Sequence, residues 1–407
     1  MKKHASGYSR REFIKMAGGA GMGTLLGATA YGGQNAPDPS EPRRQDPIKV
    51  PTRPFGKSGA QVPILALGGM FDLAANQLML RQAIQWGVTY WDTADCYHRG
   101  SESGIGKYLG KFPQDREKVF LVSKSDAVDP EGLDRLLARS LERMQTSYLD
   151  LYFIHGLRSI AVLNDETRRW AEKAKAEKKI RLFGFSTHSN MADCLRGAAK
   201  LDWIDGIMMT YNYRTMDSAE MNEAVEACTS AGIGLTAMKT QGSRSWFSSS
   251  GDSDLQQHFM AKGFTAEQAK LKIVWQDKRI ASICSQMDSM KLLKANAEAA
   301  SDDTPLSMED IDRLRRHAIA TASDYCAGCG GICETAVVGG IPVSDIMRHQ
   351  MYCRSYARPE WARDYFKGVP PEKRRQMLSA DYSLAERRCP HKIPVGRLVR
   401  DALESFA

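Results

Sequence analysis

Short apolar runs alternate with helical stretches from residue 63 to about residue 285, and this alternation limits the possible folds more than any other feature. The predicted strands are Val62–Leu67, Thr89–Asp92, Val119–Ser123, Leu149–His155, Leu182–Ser186, Gly206–Tyr211, Ile233–Met238 and Ile280–Ser285. The predicted helices between them are Asn76–Trp86, Ser103–Leu109, Pro130–Met144, Asn164–Lys179, Met191–Ala199, Ser218–Ala231 and Thr265–Gln276. Repeated strand–helix units predict an α/β chain with a parallel sheet.

The number of units favours a closed barrel over an open sheet. Counted from Thr89, about seven or eight units occupy roughly 230–250 residues, which is the size of a (β/α)8 TIM barrel. An open doubly wound sheet normally carries a Gly-rich fingerprint after its first strand, and Leu67–Met70 (LGGM) lacks it. The polar stretch Trp246–Gly263 interrupts the pattern and is predicted to be a surface loop or lid after the seventh strand.

Four polar side chains fall at or just after the ends of predicted strands, where barrels of this kind carry their chemistry. They are Asp92, Tyr97, Lys124 and His155. Each alone is ordinary, because a loop Tyr usually packs, a Lys after a strand usually points to solvent, and a lone His is usually a satisfied rim residue. Together they predict proton transfer: an ammonium lowers the pKa of a neighbouring phenol, and Tyr97 gives a proton to a carbonyl oxygen. The hydride must then come from a nicotinamide.

Four motifs carry a resemblance to a known family. Residues 91–102 (WDTADCYHRGSE), 122–124 (VSK), 148–155 (YLDLYFIH) and 184–188 (GFSTH) resemble the aldo-keto reductase superfamily, over roughly residues 52–300. The resemblance implies a TIM barrel and NADPH-dependent reduction of aldehydes and ketones, or the reverse reaction.

The same resemblance implies a role for each of the four polar residues. Tyr97 would be the general acid, and Lys124 would lower its pKa. Asp92 would be the partner of Lys124, and His155 would orient the substrate.

On the cofactor side the sequence departs from the family. The positions implied by the resemblance are Ser186, Thr187, Met208, Met238, Lys239 and Ser285. Thr187, Met208 and Met238 stand where the family usually has Asn, Gln and an aromatic residue. The segment after the last strand has no immediate basic residue for a 2′-phosphate, although Lys291 and Lys294 lie nearby. NADPH is therefore the expected cofactor, with NADH as the alternative.

Five of the nine cysteines lie in the last quarter of the chain. Cys326, Cys329 and Cys333 form a C-x2-C-x3-C run, and Cys389 precedes a proline. This set predicts one [4Fe–4S] cluster, with a four-Cys zinc site or a helical cap with unused or disulfide-bonded cysteines as alternatives. The segment resembles the ferredoxin-like C-terminal extension of some aldo-keto reductases. Cys353 is predicted to pack in a helix, Asp345–Tyr356, or to substitute as a ligand.

The N-terminal residues are predicted to be a targeting segment. A twin-arginine pattern, Ser9–Lys15, precedes a Gly/Ala-rich stretch and an A-x-A-like site ending at Ala30, which resembles a bacterial Tat signal. The Tat export machinery is then a partner, and the location is periplasmic or otherwise extracytoplasmic. The predicted domains are residues 1–30, signal; 31–51, linker; 52–300, barrel; and 301–407, a mostly helical, cysteine-containing, ferredoxin-like extension.

Composition argues against three other classes of protein: disordered, membrane-spanning and nucleic-acid-binding. A hydrophobic content of 43% excludes wholesale disorder, and no run approaches the ~20 apolar residues that cross a bilayer. The net charge of +8 is partly terminal and is not interleaved with aromatic residues, which argues against nucleic-acid binding. Two functions remain: an exported oxidoreductase acting on a small carbonyl or alcohol, or a barrel without nicotinamide activity that serves as an iron–sulfur electron-transfer or docking module. A redox partner protein is compatible with either.

Overall fold

The structure is a computed structural model that describes residues 47–97, 100–242, 250–356 and 358–406. Residues Pro47–Ala407 form one compact unit. The predicted signal and residues 31–46 of the predicted linker lie outside the described residues. Among the helices that are described, none combines the length and apolar character that a membrane span requires.

An eight-stranded parallel barrel, preceded by a short antiparallel hairpin, forms the sheet structure. The hairpin pairs β1 with β2, and the barrel follows chain order from β3 to β10, with β10 closing against β3. The strands are β1 Thr52–Pro54, β2 Gln61–Pro63, β3 Leu65–Gly68, β4 Tyr90–Asp92, β5 Phe120–Ser125, β6 Leu149–Ile154, β7 Ile180–Thr187, β8 Gly206–Thr210, β9 Gly234–Met238 and β10 Ser282–Gln286. The predicted TIM barrel is confirmed.

The first predicted strand is divided between two sheets. Val62–Leu67 was expected to be one strand, but β2 ends at Pro63 and β3 begins at Leu65. Pro63 has no N–H to donate to a ladder, and the Ile64 N–H donates instead to the Pro51 carbonyl at 2.9 Å. The barrel therefore begins one strand before Thr89.

The helices of the barrel lie between and after its strands. They are α1 Gln77–Gln85, α2 Ser101–Lys111, α3 Pro130–Arg143, α4 Asp165–Ala176, α5 Met191–Ala198, α6 Ala219–Ser230, α7 Ser250–Met260, α8 Ala266–Gln276, α9 Met290–Ser301 and α10 Met308–Ala320. Capping side chains set several starts: Asp129 accepts from the Gly132 N–H at 2.8 Å before α3, and Thr265 with Gln268 forms a capping box at α8.

The stretch after the seventh strand, predicted to be a surface loop or lid, is not a loop where the structure describes it. Residues 250–260 form α7, and residues 243–249 lie outside the described part. Leu255 and Phe259 are one helical turn apart, and both are buried in the core around the barrel. Two apolar residues at this spacing give the polar stretch one buried face, which favours a helix.

The barrel interior is a packed core closed at its amino end. Phe55 from the hairpin joins Tyr90, Leu151, Phe153 and Met208 in one buried cluster. The strands come close together here, since a Cβ on Gly184 would lie 1.8 Å from the Gly206 carbonyl oxygen. The open end for chemistry is therefore the carboxyl end of the strands.

A helical extension follows the barrel. Its helices are α11 Gly330–Cys333, α12 Val343–Tyr356, α13 Pro359–Lys367, α14 Pro371–Ser379, α15 Ser383–Arg388 and α16 Val395–Phe406. It has a hydrophobic core of its own, which includes Ile346, Phe366 and Leu398. The helix predicted at Asp345–Tyr356 is α12. Within the described part of residues 302–406, all regular secondary structure is helical.

Candidate active site

The four polar residues predicted to act together meet at the carboxyl end of the barrel. Asp92 ends β4, Lys124 lies in β5, and His155 is the first residue after β6, so neighbouring strands carry them. Tyr97 follows β4 in its loop. The Lys124 Nζ atom lies 2.7 Å from Asp92 Oδ2 and 3.4 Å from Tyr97 Oη. The Tyr97 and His155 rings pack edge to face, with their centroids 5.8 Å apart.

Lys124 is a fully buried ammonium whose donors are largely engaged. Besides Asp92, it donates to the Thr93 carbonyl oxygen at 2.7 Å. Lys124 and Asp92 side chains are 1% and 3% exposed. A buried ion pair of this kind persists only when hydrogen bonds satisfy its remaining donors. The third N–H of the ammonium faces the Tyr97 hydroxyl oxygen, at an N–O distance of 3.4 Å.

The direction of the Tyr97 pKa shift differs from the prediction, whereas its role as a proton donor does not. Lys124 was expected to lower the pKa of Tyr97, but burial raises this pKa well above its usual value, and the Asp92 carboxylate raises it further. Desolvation of the phenolate therefore outweighs the nearby ammonium. Tyr97 keeps its proton at neutral pH, which suits a proton donor.

His155 is held through one ring nitrogen. Its Nδ1 atom lies 2.7 Å from Asp126 Oδ1 and 3.3 Å from Cys96 Sγ. Burial lowers the pKa of His155, so the ring is neutral at neutral pH. Because the ionised Asp126 carboxylate can only accept, Nδ1 carries the hydrogen and Nε2 is left as an acceptor. The sequence analysis missed Asp126, although it lies two residues beyond Lys124 at the same strand end.

Cys96, Asp126 and His155 bring three ligand-type atoms within 4.8 Å of one another. These three residues could hold a metal ion by residue type. Their hydrogen bonds already account for the arrangement, and burial with the nearby Asp126 raises the pKa of the Cys96 thiol to about 12. The trio therefore serves to fix the His155 ring.

Two of the predicted cofactor residues lie at the end of β7. Ser186 accepts a hydrogen bond on its Oγ from the Gly156 N–H at 3.0 Å. Thr187 donates its hydroxyl to the carbonyl oxygens of Leu157 and Ser189, at 2.7 and 2.8 Å. Both side chains thus brace the loop after β6.

The remaining predicted cofactor residues are spread over three strands. Met208 in β8 is buried in the barrel interior, and Met238 at the end of β9 packs against the same cluster. Ser285 in β10 accepts from Asn296 of α9 at 3.1 Å. Lys239, directly after β9, lies 2.5 Å from His188 Nδ1. The structure therefore brings Lys239 into contact with His188, whereas Ser285 contacts the helix that follows its strand.

The extension is docked on this end of the barrel through a glycine. Gly328 lies between Cys326 and Cys329 with a φ of 77°, and a Cβ there would lie 2.1 Å from the His188 carbonyl oxygen. The Asn190 N–H donates to the Gly328 carbonyl at 2.8 Å. Only glycine permits this approach and this backbone conformation without strain.

Side chains from the barrel strengthen the same contact. Arg158 donates to Glu334 at 2.7 Å and also pairs with Asp345 of α12. The Asn212 side-chain amide donates to the Tyr325 hydroxyl at 2.9 Å. The phenol of Tyr352 in α12 is among the groups that raise the pKa of Tyr97. Because the Lys239 Nζ atom, directly after β9, also lies 5.5 Å from the centre of the Tyr352 ring, helix α12 lies against the barrel mouth.

The four cysteines predicted as metal ligands line one cavity in the extension. Cys326, Cys329, Cys333 and Cys389 surround about 360 Å³ of empty space, including its opening to solvent, and all four are free thiols. Among the residues described, no three of these sulfur atoms lie within 4.8 Å of one another. Cys353 lies in α12 and is not part of this lining.

The sequence of this chain matches the model of one protein family. The model of the "Aldo/keto reductase family" matches residues 65–319. A soybean (Glycine max) protein named "Probable aldo-keto reductase 1" is 27% identical over 221 residues, covering 50% of this chain and 62% of the relative. "Methylglyoxal reductase YeaE" of Escherichia coli is 42% identical over 110 residues, covering 26% and 37%. The chain thus spans less than two thirds of the length of these curated relatives.

Solved structures agree with this relationship. An aldo-keto reductase from Klebsiella pneumoniae, solved in complex with NADPH, is 27% identical with a TM-score of 0.54. The alignment covers 66% of this chain and 94% of that structure. The barrel is therefore shared almost completely, and the helical extension is where this chain adds to it.

Proposed function

The chain belongs to the aldo/keto reductase family, and we propose that it is an NAD(P)H-dependent oxidoreductase that interconverts a small carbonyl compound and its alcohol. The observation that carries the proposal is the chain of contacts from the buried pair Asp92 and Lys124 to the partly buried Tyr97, at 2.7 and 3.4 Å. It holds a protonated phenol against a fixed positive charge at the barrel mouth.

The four residues divide the work of the reaction. A bound nicotinamide supplies a hydride to the carbonyl carbon. Tyr97 donates its proton to the carbonyl oxygen as negative charge develops there, and Lys124 stabilises the phenolate that remains. Asp92 pairs with Lys124 and orients it. His155, with Nε2 as an acceptor, orients the substrate through a hydroxyl hydrogen, which suits the alcohol or a hydroxyl beside the carbonyl.

The residues at the barrel mouth fit a nicotinamide cofactor in part. Ser186 and Lys239 offer polar atoms on neighbouring parts of the carboxyl end, whereas Met208 and Met238 offer only apolar contact. Relatives of 26% and 27% identity were solved with NADP and with NADPH. We expect the cofactor to bind here with fewer hydrogen bonds than in relatives that carry Asn and Gln.

The proposed role of Tyr97 is tested by removing its hydroxyl group. Tyr97→Phe removes the proton donor and keeps the ring, so we expect carbonyl reduction to fall by at least about 100-fold with NADPH binding retained. Tyr148→Phe, at the amino end of β6, is the matched control and keeps wild-type turnover. Wild-type turnover by Tyr97→Phe would refute the assignment.

We further propose that Cys326, Cys329, Cys333 and Cys389 hold one [4Fe–4S] cluster. Two observations support it. The four free thiols line one cavity, and among the described residues no three of their sulfur atoms lie within 4.8 Å of one another. A tetrahedral zinc site with Zn–S bonds near 2.3 Å needs sulfur atoms only about 3.8 Å apart. An iron–sulfur cluster needs a larger cage of thiolates, and it would provide electron transfer or hold the extension together.

The cluster is tested by metal analysis of anaerobically purified protein. We expect about four irons and four sulfides per chain, with loss of both in Cys329→Ser. Cys353→Ser, a thiol outside the cavity, is the control and should retain them. Stoichiometric zinc in place of iron would establish the alternative and overturn the proposal.

We also propose export of the folded protein by the Tat pathway. The support is the sequence alone, Arg10 and Arg11 followed by the Gly/Ala-rich stretch, because these residues lie outside the described part. Replacing both arginines by lysine should retain the protein in the cytoplasm of a Tat-competent host, as seen by fractionation. Unchanged export of that variant would refute this part.

A further inference from the structure

Three side chains from separate parts of the barrel mouth bring metal-binding atoms together beside the proposed proton donor. Cys96 lies in the loop after β4, Asp126 directly follows β5, and His155 directly follows β6. The His155 Nδ1 atom lies 3.3 Å from Cys96 Sγ and 2.7 Å from Asp126 Oδ1, and one ligand atom of each residue lies within 4.8 Å of the other two. We call these three residues the mixed-ligand trio.

The trio fits a zinc ion in ligand type and in spacing. Thiolate sulfur, imidazole nitrogen and carboxylate oxygen are the ligands of protein zinc sites, and three protein ligands leave a fourth position open. Zn–S bonds near 2.3 Å and Zn–N and Zn–O bonds near 2.1 Å place tetrahedral ligands about 3.4–3.6 Å apart. The Cys96 sulfur is already at about this separation from the ring nitrogen, and the Asp126 oxygen has to move away by only about 0.7 Å.

An ion can reach the trio from solvent. The Asp126 side chain is 56% exposed and the His155 side chain is 16% exposed, and Cys96 keeps part of its surface accessible. Asp126, the member that has to move, is therefore the least constrained by packing. One thiolate and one carboxylate balance the two charges of a divalent cation, and the nearby Lys124 ammonium is already paired with Asp92.

We propose that Cys96, Asp126 and His155 bind a divalent cation such as Zn²⁺ through Sγ, Oδ1 and Nδ1, and that the ion reverses the hydrogen-bonding role of His155. On binding, the thiol releases its proton to solvent. The neutral ring gives up the hydrogen on Nδ1 and carries one on Nε2 instead. Without the ion the trio fixes the ring with Nε2 as an acceptor, and with the ion Nε2–H is a donor.

This reversal affects the reacting end of the ring. The His155 and Tyr97 rings pack edge to face with centroids 5.8 Å apart, so both adjoin the same part of the barrel mouth. An Nε2–H donates to the carbonyl oxygen that Tyr97 protonates, whereas an Nε2 lone pair does not. The effect on catalysis rests on the proposed reductase function, but the binding of the ion does not.

Binding is tested by titrating the anaerobically purified full chain with Co²⁺, because a cobalt–thiolate bond gives a charge-transfer absorption that a difference spectrum detects. We expect this absorption in wild type, its displacement by Zn²⁺, and its loss in Cys96→Ser. Cys353→Ser, the same substitution in α12, is the control and should keep it. Cobalt held by the cysteines of the extension contributes equally to all three proteins. Equal spectra for wild type and Cys96→Ser would overturn the site.

A second variant guards against misfolding of the first. Asp126→Asn keeps an oxygen that accepts from the Nδ1 hydrogen but removes the charge of the ligand. It should weaken Co²⁺ binding at least about tenfold, with the unfolding transition showing that the chain remains folded. Unchanged affinity in this variant would contradict a role for the Asp126 carboxylate in the site.

The reversal of His155 has two readouts. Nitrogen NMR of protein labelled in its histidine rings should show the hydrogen on Nε2 once Zn²⁺ binds, with the signal identified by its absence from His155→Gln. Stoichiometric Zn²⁺ should also lower KM for pentanal at least about threefold in wild type and leave it unchanged in Cys96→Ser. Bound zinc with the hydrogen still on Nδ1 would overturn the reversal. Zinc binding and the NMR change without any aldehyde reduction would support the site and contradict the reductase function instead.

Discussion

Two lysines at the same end of the barrel illustrate two uses of a desolvated cation. Lys124 is 1% exposed and is matched by the Asp92 carboxylate and the Thr93 carbonyl. Lys239 faces a pocket and is matched by a histidine nitrogen and an aromatic ring. The first ammonium is held in place for chemistry before any ligand arrives. The second has no acidic partner among the described residues, and burial lowers its pKa well below the usual value.

The largest expected effect comes from breaking the matched pair. Lys124→Met leaves Asp92 as an uncompensated buried charge, which costs about 3–5 kcal/mol of unfolding free energy. Guanidinium unfolding measures it, and carbonyl reduction should be lost in the fraction that stays folded. Lys118→Met, which removes an exposed cation, is the control. A variant as stable as wild type would show that the pair is not desolvated.

The contact between the two regions comes next. Gly328→Ala places a Cβ against the His188 carbonyl and strains a left-handed residue, so we expect a loss of about 2 kcal/mol and faster proteolysis of the extension. Gly263 also has a positive φ, but a Cβ there would meet no atom within 4 Å. Gly263→Ala therefore measures the cost of the backbone strain without the contact. Equal losses in the two variants would contradict a docking role for Gly328.

The unmatched lysine should respond in the opposite direction to Lys124. Lys239→Met removes a desolvated amine without orphaning a carboxylate, so the unfolding free energy should stay constant or rise by up to about 1 kcal/mol. The same guanidinium titration measures it. A loss comparable to that of Lys124→Met would show that Lys239 is already paired and would remove the basis of the comparison.

The smallest expected effect is in the pH profile. Because the pKa of Tyr97 is raised, the proton donor stays loaded as pH rises, and kcat for reduction should not fall between about pH 7 and about pH 9 from loss of that proton. A tyrosine with a lowered pKa would lose its proton in this range. Steady-state rates at saturating NADPH distinguish a raised from a lowered pKa. A fall in kcat over this pH range in wild type that does not occur in Tyr97→Phe would contradict the raised pKa.

The barrel and its four polar residues could be predicted from sequence because each signal is local. Strand periodicity places Asp92 and Lys124 at strand ends, and parallel strands bring those ends together. The direction of the Tyr97 pKa shift could not be predicted, since it depends on how strongly the fold desolvates the phenol. The contact between Lys239 and Tyr352 was also missed, because the two residues are far apart in sequence and only the docking of the extension brings them together. Helix α7 was missed because its buried face has few apolar residues.

The central claim is that the barrel remains a nicotinamide-dependent reductase although a helix covers its mouth. The most direct measurement is a fluorescence titration of the anaerobically purified full chain with NADPH and with NADH. We predict saturable binding of NADPH in both wild type and Tyr97→Phe, because Tyr97 acts on the substrate. The absence of saturable binding of either nucleotide would contradict the claim.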